Sequence, residues 1–478
     1  MIMKKAIIIG SGIGGSSIGA LLCSIGYKVE LFEKNSLLGG RYSTYTKVDD
    51  DGREYKMDVG CHLVGNCEKG SIGKVFNEIG LPNAIKWSYA SHPRPIFYYI
   101  NQFIKFPQEI HKIGLNNRDF KSAFKLFDKL KSITDEEIRE LEENQVTLSD
   151  FLKDYTKNEK IFSLMSFING MYFVISPDKA SASEWIRCQN EIQRNKSSGY
   201  PIGGTGIIAN TLCKYIEDNG GTVHKETEVS KIIIDNQTAK GVELKNGEQI
   251  FSDLIISNAG VINTVNNLIE HSVLDNKYIA RINKYEYSLA TVQVKVALDK
   301  KITDQKMIMF LGEEFDLDSV EERYENMLDE QIPDFHPVLF CPIVSNIDPS
   351  VAPEGTQLIY AGGGCPMPND GFSNKNHKDG WEKACINSLE RIFPDIRDHI
   401  LWIETTTPED IMNFVDEAGC VIGISQAADQ MGANRPDFQV PNISNLYLCC
   451  ADTGTTGIGG ELAANSALNL FDIIKNDI

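Results

Sequence analysis

The sequence predicts an α/β protein that begins with a β-α-β unit and continues into a second domain, and three observations predict it. The first 33 residues place a glycine-rich turn between two short apolar strand patterns. A chain of 478 residues with 42% hydrophobic and 24% charged residues is typical of a globular protein with two or three hydrophobic cores. An apolar strand pattern followed by glycines returns near the C-terminal end, at 445–461.

The first element is a strand, and the segment after it is predicted to bind a dinucleotide. Ala6–Ile9 is short and β-branched, and the next residues form the pattern G-x-G-x-x-G. Apolar residues then recur at helical spacing up to Gly26, where the helix is expected to end. Val29–Phe32 forms the second strand, and Glu33 follows it, eighteen residues after Gly15. Dinucleotide-binding folds place an acid at this point to bind the ribose hydroxyls.

The residue types of this turn suit phosphate binding. Glycine at Gly10 and Gly12 permits a tight turn and lets the backbone approach a pyrophosphate. Gly15 lets the helix pack on the strand, and the helix N-terminus offers free N–H groups to phosphate oxygens. Gly14 lies inside the same turn. The predicted dinucleotide site therefore contains Gly10, Gly12, Gly14, Gly15 and Glu33.

A signal peptide or a membrane anchor is the alternative for this segment, because the chain carries no charge between Lys5 and Lys28. Ala6–Gly26 contains six glycines and four serines, which makes it too glycine-rich for a good hydrophobic spanning core. We therefore expect a folded β-α-β unit here.

Charge and cysteine usage restrict the partners and the compartment. The formal net charge is −19, so binding to nucleic acid, which needs a basic surface, is not expected. The eleven cysteines form no C-x-x-C pair, and the eight histidines show no metal-ligand spacing. We therefore predict buried free thiols in a reducing compartment, the cytoplasm, and no metal site.

The residues after Glu33 indicate which dinucleotide is bound. Gly39-Gly40-Arg41 follows the acid, and Asp58, Gly60 and His62 form a D-x-G-x-H stretch. Both stretches resemble the signature of the flavin amine oxidase and phytoene desaturase superfamily. In that superfamily the Gly-Gly-Arg residues lie along the FAD pyrophosphate, and the D-x-G-x-H stretch approaches the isoalloxazine. The resemblance implies FAD as the cofactor, and a solvated surface charge is the alternative for the arginine.

Two distant segments resemble the same superfamily. Residues 220–259 read as a helix end, a strand, a hairpin and a buried strand, and the resemblance implies that the main chain near Val229 contacts the adenine. Near the C-terminus, the resemblance implies that Asp452 lies near the ribityl and pyrophosphate groups. It also implies that Gly459 and Gly460 begin a final helix that faces the flavin. Ala451 stands where the superfamily usually has glycine.

The resemblance also implies the domain organisation. We expect a Rossmann-type FAD-binding domain made of three segments, and a discontinuous α+β substrate domain that covers the flavin. The FAD-binding segments are 1–75, 200–265 and 420–478. The substrate domain is expected to comprise 76–199 and 266–419.

Gly362–Gly364 is a second glycine run that follows a strand pattern. Cys365-Pro366 and Pro368 prevent a helix directly behind it. We therefore expect a loop at this run and no second nucleotide site.

Two side chains are candidates for catalysis. His62 could donate a hydrogen bond or a proton at the reactive end of the flavin, and a structural histidine is the alternative. Lys295 lies on the strand pattern Thr291–Leu298, in which polar and apolar residues alternate. Amine oxidases of the superfamily place a lysine near flavin N5, which makes Lys295 a candidate. A solvated strand face is the favoured interpretation for this lysine.

Residues 113–131 are the candidate for peripheral membrane contact. An apolar face at helical spacing alternates there with lysines, and its residues are Phe120, Ala123, Phe124, Phe127 and Leu130. A basic amphipathic helix can lie in a membrane interface. An ordinary helix packed on the core is the favoured interpretation, since amphipathic helices are the norm.

Three functions are compatible with these patterns. Thr407–Asp410 and the segment from Gln426 to Pro436 look most like the phytoene desaturase and carotenoid isomerase branch. That branch implies an FAD-dependent oxidoreductase acting on carbon–carbon bonds of an apolar, polyene or isoprenoid-like substrate, by desaturation, saturation or isomerisation. Thr455-Thr456-Gly457 stands where the branch has a histidine-proline-glycine stretch. The alternatives are a flavin amine oxidase and a non-catalytic prenyl or lipid carrier, and the electron donor or acceptor is left open.

Overall fold

The computed structural model describes most of the chain, which folds into several β-sheets and the helices that pack on them. The described residues are 4–60, 62–89, 96–105, 108–113, 117–312, 332–366 and 375–476. Nineteen strands are described: β1 (Lys5–Ile9), β2 (Lys28–Phe32), β3 (Thr44–Val48), β4 (Glu54–Asp58), β5 (Trp87–Tyr89), β6 (Ile96–Tyr99), β7 (Gln102–Lys105), β8 (Gly199–Pro201), β9 (Thr222–His224), β10 (Val229–Asp235), β11 (Thr238–Leu244), β12 (Gln249–Phe251), β13 (Leu254–Ser257), β14 (Ala290–Leu298), β15 (Met307–Leu311), β16 (Val338–Pro342), β17 (Gln357–Cys365), β18 (Ile400–Thr406) and β19 (Leu446–Leu448).

Helices of seven or more residues pack against these strands. They are α1 (Ile13–Ser24), α2 (Ser71–Glu78), α3 (Asn117–Ser132), α4 (Asp135–Glu143), α5 (Leu148–Tyr155), α6 (Glu159–Phe173), α7 (Ala182–Asn195), α8 (Ile207–Asp218), α9 (Asn276–Ile282), α10 (Lys375–Ile392), α11 (Pro408–Val415) and α12 (Gly460–Asn476).

A five-stranded parallel sheet contains the predicted N-terminal unit. Its strand order is β19-β13-β1-β2-β9, with every neighbouring pair parallel. Helices α1, α8 and α12 cover one face of the sheet, and the antiparallel block β10-β11-β12 packs on the other. Because both faces are covered, β1 is apolar and buried from Ala6 to Ile9, and Val29, Leu31 and Phe32 of β2 are buried as well. The predicted α/β class and the opening β-α-β unit are confirmed.

The second large sheet is mixed and has seven strands in the order β18-β14-β17-β16-β15-β6-β7. Val292, Val294, Val296 and Leu298 of β14 point to one face, where α10 covers them. The other face carries Gln293 and Lys295 and packs toward α6. Alternation along β14 therefore divides the two faces as the sequence predicted.

The two large sheets take their strands from different parts of the chain. The parallel sheet uses strands from within 1–75, 200–265 and 420–478, and the mixed sheet uses strands from within 76–199 and 266–419. The exact domain boundaries stay a prediction.

The expectation of a loop at Gly362–Gly364 is wrong. Strand β17 continues through these glycines to Cys365 and pairs each of them with β14. A Cβ atom on Gly363 would lie 2.1 Å from Cε1 of His336, so the glycine lets the His336 ring pack directly on the strand. Pro366 directly follows the strand, and Pro368 lies outside the described residues.

The predicted apolar face of α3 is divided between core and surface. Ala123 and Leu130 are buried and Phe127 is half-buried, whereas Phe124 is 72% exposed. The side chain of Phe120 lies outside the described residues. Among the helices of the described ranges, none is both long enough and apolar enough to cross a bilayer.

Candidate active site

A cavity of about 1390 Å³ opens at the carboxyl ends of β1 and β2 and extends to the mixed sheet. This end of a parallel sheet is where α/β folds bind their ligands. Two predicted site residues, Gly15 and Lys295, lie outside the lining. The predicted residues that line the cavity are Gly10, Gly12, Gly14, Glu33, Gly39, Gly40, Arg41, Gly60, His62, Val229, Asp452, Gly459 and Gly460.

The glycine turn lies against Asn258, a residue that the sequence patterns did not single out. A Cβ atom on Gly12 would lie 2.5 Å from Oδ1 of Asn258, and one on Gly14 would lie 2.6 Å from the carbonyl oxygen of Cys449. Gly15 faces back into the turn, where a Cβ atom would lie 2.1 Å from the carbonyl oxygen of Gly10. Glycine is therefore required for packing at these positions, and the turn stays narrow beside the N-terminus of α1.

Glu33 lies at the end of β2 with its carboxylate oriented by three hydrogen bonds. Oε2 accepts from the backbone N–H of Ser11 at 2.9 Å and from its hydroxyl at 2.6 Å, and Oε1 accepts from the N–H of Asn35 at 2.9 Å. The Ser11 hydroxyl oxygen in turn accepts from the N–H of Gly39 at 3.1 Å. This chain of contacts joins the glycine turn to the Gly-Gly-Arg segment.

Arg41 forms an ion pair with a buried acid that sequence analysis missed. Its Nη2 lies 2.6 Å from Oε2 of Glu417, and its Nε donates to the carbonyl oxygen of Cys420 at 3.0 Å. Burial raises the pKa of Glu417 to about 7, with Asp452 contributing in the same direction and Arg41 opposing it. The arginine is thus part of the cavity wall, and the alternative of a solvated surface charge does not describe it.

Asp452 uses both carboxylate oxygens to hold the backbone of two other segments. Oδ2 accepts from the N–H of Val261 and Oδ1 from the N–H of Ile424, each at 2.8 Å. Gly423 has φ +125°, and a Cβ atom there would lie 2.4 Å from Oδ1 of Asp452. Asp452 therefore organises the cavity wall as well as lining it.

The far end of the cofactor half contains a contact between His62 and Gln293. Their Nε2 atoms are hydrogen-bonded, and the His62 ring meets the ring of Tyr360 edge to face at 4.9 Å between centroids. Gln293 is on the polar face of β14 and lines the cavity. The alternating sequence pattern predicted that Gln293 lies on the polar face. The pattern did not indicate that Gln293, rather than Thr291 or Lys295, contacts His62.

The favoured expectation of a solvated lysine at Lys295 is wrong. Its side chain is fully buried, and Nζ donates to the carbonyl oxygen of Asp58 at 2.5 Å. Burial lowers the pKa of Lys295 to about 8. Lys295 therefore holds the end of β4, which leads to Gly60 and His62, and it is not among the residues that line the cavity.

Two acids of the sequence motifs do not line the cavity. They are Asp58 of the D-x-G-x-H stretch and Glu461 at the end of the segment 445–461. Asp58 is fully buried and accepts hydrogen bonds from the hydroxyl of Tyr200 at 2.5 Å and from the N–H of Thr205 at 2.9 Å. Glu461 accepts from the N–H of Ile72 at 3.1 Å and so caps the N-terminus of α2. Both acids join distant segments of the chain.

The residues of the cofactor half fit FAD. The turn consists of glycines at positions where a Cβ atom would clash with neighbouring atoms. Without side chains there, the backbone and the N-terminus of α1 are accessible to a pyrophosphate. Glu33 presents an acceptor at the position used for ribose hydroxyls. The start of β10 at Val229 offers main-chain groups farther along the same wall.

The other half of the cavity lies between α6 and the mixed sheet. Its floor is a cross-strand row of Gln293, Gly362, Phe340 and Met309, which are neighbours in register. Phe167 and Met171 of α6 form the opposite wall. This half is therefore apolar, apart from a few uncharged polar groups.

Comparisons with known proteins agree with this geometry. The family described as flavin containing amine oxidoreductase matches residues 15–469. A prolycopene isomerase of Daucus carota is 26% identical over 518 residues, covering 99% of this chain and 80% of that protein. A phytoene desaturase of Fusarium fujikuroi is 24% identical over 543 residues, covering 100% of this chain and 91% of that protein.

The solved structure of an oxidoreductase from Methanosarcina mazei has a TM-score of 0.72 to this chain at 20% identity, covering 98% of this chain and all of that one. This likeness supports the fold. The family match spans nearly the whole chain, and it includes all of the residues that line the cofactor half of the cavity except those of the glycine turn before residue 15. The chain therefore belongs to the flavin-containing amine oxidoreductase family and is an FAD-dependent oxidoreductase.

Proposed function

We propose that the protein exchanges hydrogen at carbon–carbon bonds of an apolar, polyene or isoprenoid-like substrate, by desaturation, saturation or isomerisation. The observation that carries this proposal is the apolar half-cavity that continues from the His62–Gln293 contact between α6 and the mixed sheet. The relatives include a prolycopene isomerase and a phytoene desaturase, whose names refer to polyene substrates, and this supports the same substrate class. When bound, the flavin supplies hydride transfer.

The chain's own residues would then position the substrate and keep water out. Phe167, Met171, Met309 and Phe340 offer apolar contacts along the wall and floor. His62 is held by Gln293 and Tyr360, so it can present a hydrogen bond in a fixed direction at the junction of the two halves. We infer a positioning or proton-holding role for His62, and expect His62→Ala to retain FAD and to lower turnover only in part.

A flavin amine oxidase is less well supported by the same cavity. A protonated amine that is buried in an apolar cavity is stabilised by an acidic side chain near its charge. Among the described residues that line the substrate half, none is an aspartate or glutamate. The acids of the lining, such as Glu33, Glu417 and Asp452, belong to the cofactor half.

Anaerobic mixing of the purified, flavin-loaded protein with candidate substrates tests the proposal. We expect a polyene supplied in micelles, such as phytoene or prolycopene, to change its absorption spectrum, whereas putrescine or benzylamine leaves the flavin oxidised. Photoreduced flavin should be included, since saturation of a double bond needs the reduced flavin as hydrogen donor. Rapid reduction by a simple amine, with no change in any polyene, would overturn the proposal. A protein that purifies without flavin would instead favour the lipid carrier.

We also propose that residues 113–131 contact a membrane surface, where a lipid-soluble substrate is collected. Phe124 is 72% exposed, and Lys121 and Lys125 are exposed beside it. An exposed aromatic ring flanked by lysines suits an anionic membrane interface.

We expect Phe124→Ser to reduce sedimentation with anionic liposomes. Phe251→Ser is the matched control, because Phe251 is 58% exposed on β12. Equal sedimentation of the wild type and the Phe124 variant would refute the contact.

A further inference from the structure

Two serine side chains on α6 distinguish one part of the apolar half-cavity. Ser163 and Ser166 line the cavity, and they are 0% and 1% exposed. Since they are three residues apart, they lie on the same face of the helix. Neither hydroxyl has a hydrogen-bond partner among the described residues.

A serine or threonine hydroxyl inside a helix can donate to the carbonyl one turn earlier. Ser16 of α1 donates to Gly12 at 3.0 Å in this way, and Thr211 of α8 donates to Ile207 at 2.7 Å. Ser163 and Ser166 do not. Leaving a buried hydroxyl without a partner costs free energy, so two of them on one cavity wall indicate a ligand atom that forms these hydrogen bonds.

The surroundings indicate that this ligand atom is uncharged. The neighbouring wall residues on α6 are Phe167, Gly170 and Met171. Among the described residues that line the substrate half, none is a lysine or arginine that would neutralise a carboxylate. Burial lowers the pKa of His336 to about 4, so this histidine is neutral at pH 7. A hydroxyl or carbonyl oxygen suits these conditions.

Ser163 lies in the half of α6 that is remote from the junction with the cofactor half, and Ser166 lies at the middle of the helix. The carbonyl oxygen of Val174, directly after the helix, accepts from the N–H of Leu289 at 2.8 Å, and the chain continues from there into β14 and Gln293. At a rise of about 1.5 Å per residue, Ser163 lies roughly 16 Å along the helix axis from Val174. An extended substrate along α6 would therefore place one end at the serines and a more central bond toward His62.

We propose that Ser163 and Ser166 bind a hydroxyl or carbonyl oxygen at one end of the substrate, so that the preferred substrate is an oxygenated polyene rather than a pure hydrocarbon. This inference rests on the proposed function and narrows its substrate class. The two serines act as specificity-determining residues, because only an oxygenated end satisfies both hydroxyls.

Binding of a matched pair of ligands tests the inference. Lycopene and its terminal aldehyde are titrated in micelles against the flavin-loaded protein, and quenching of flavin fluorescence gives each dissociation constant. We expect the aldehyde to bind about tenfold more tightly than lycopene, since one or two neutral hydrogen bonds distinguish the ligands. In the double variant Ser163→Ala/Ser166→Ala this ratio should fall to near one, mainly through weaker binding of the aldehyde.

Ser149→Ala is the matched control. Ser149 is also buried, at 1% exposure, and its hydroxyl also lacks a partner among the described residues, but it lies on α5 outside the cavity lining. This variant should keep the wild-type ratio. If the alanine pair loses flavin, the cysteine pair Ser163→Cys/Ser166→Cys keeps nearly the same volume with weaker donors, and the same loss of ratio is expected.

A wild-type ratio near one, or a ratio that the double variants leave unchanged, would overturn the inference while lycopene binding still supports the proposed function. Failure of both ligands to bind, with reduction of the flavin by amines, would overturn the proposed function itself.

Discussion

At the scale of single residues, Glu33 provides the most direct test of the cofactor site. Its carboxylate is oriented by Ser11 and Asn35 and lines the cavity at the end of β2. Glu33→Arg replaces an acceptor for the ribose hydroxyls by a bulky cation. We expect FAD affinity to fall by about tenfold or more, as for the loss of charge-assisted hydrogen bonds. The flavin-to-protein absorbance ratio of the purified variant measures this.

Glu30→Arg is the control for this variant, because it makes the same charge change on β2, three residues before Glu33 and outside the cavity lining. It should retain flavin. Normal flavin content in Glu33→Arg would remove Glu33 from the cofactor site.

Glu461 gives a prediction on pH. Burial raises the pKa of this carboxyl to about 7 from an ordinary value of 4.5, and its Oε1 has no hydrogen-bond partner among the described residues. The folded state therefore binds the proton more tightly than the unfolded chain does. Its contribution to stability is full below pH 4.5 and is lost as the pH rises to about 7.

Glu461→Gln removes this pH dependence and can still accept the hydrogen bond from Ile72. Relative to the wild type, we expect the variant to gain unfolding free energy between pH 5 and pH 7.5, by on the order of 3 kcal/mol. Urea unfolding of both proteins across this range measures the difference. A constant difference at every pH would show that the carboxyl does not titrate in this way.

At the scale of elements, the start of α12 depends on close contact with the Gly40–Tyr42 turn. A Cβ atom on Gly460 would lie 2.3 Å from Cζ of Tyr42, and the N–H of Gly460 donates to the Tyr42 hydroxyl at 3.1 Å. Gly460→Ala must push the helix and the turn apart. We expect a loss of stability of about 1–3 kcal/mol, as for other overpacked sites, together with lower flavin content.

Gly65→Ala is a matched control for Gly460→Ala. Gly65 lines the same cavity, but a Cβ atom there would have its nearest neighbour at 3.8 Å. Thermal unfolding and flavin absorbance of the two variants should therefore differ clearly. If both variants unfold at the same temperature and bind the same amount of flavin, α12 moves to accommodate the added methyl group without loss of stability.

At the scale of the whole molecule, FAD is expected to stabilise the fold by joining its separate segments. The cofactor half of the cavity is lined by residues from 9–65, 227–268 and 411–463. Because FAD would bind only when these segments are assembled, it should stabilise the folded state by about 2.7 kcal/mol at a free concentration 100 times its dissociation constant. Calorimetry of the apoprotein with increasing FAD measures the shift.

Binding is expected to be non-covalent. Acid precipitation should leave the flavin in the supernatant, and a yellow pellet would contradict this expectation. A melting temperature that does not depend on FAD concentration would show that the cofactor is not held in this cavity.

The parts of the fold and of the site that could be predicted from the sequence are those formed by short local motifs. The turn from Gly10 to Gly15, the strand ending at Glu33 and the Gly39–Arg41 segment are short and contiguous, and their residue types suit one chemistry. The hairpin block after Val229 and the final helix also follow from local patterns. In all these cases the backbone conformation is decided by neighbours in the chain.

The fold class, the cofactor and the family could therefore be predicted from short motifs, because the residues within each motif are contiguous and their chemistry has few alternatives. Which isolated side chains meet became visible only in the folded molecule. Glu417 reaches Arg41 across 376 positions, and Gln293 reaches His62 across 231. Lys295 is buried because the end of β4 covers it, although its strand has the pattern of a solvated face. Burial and pairing of this kind depend on contacts between distant segments, and a local pattern contains no information about them.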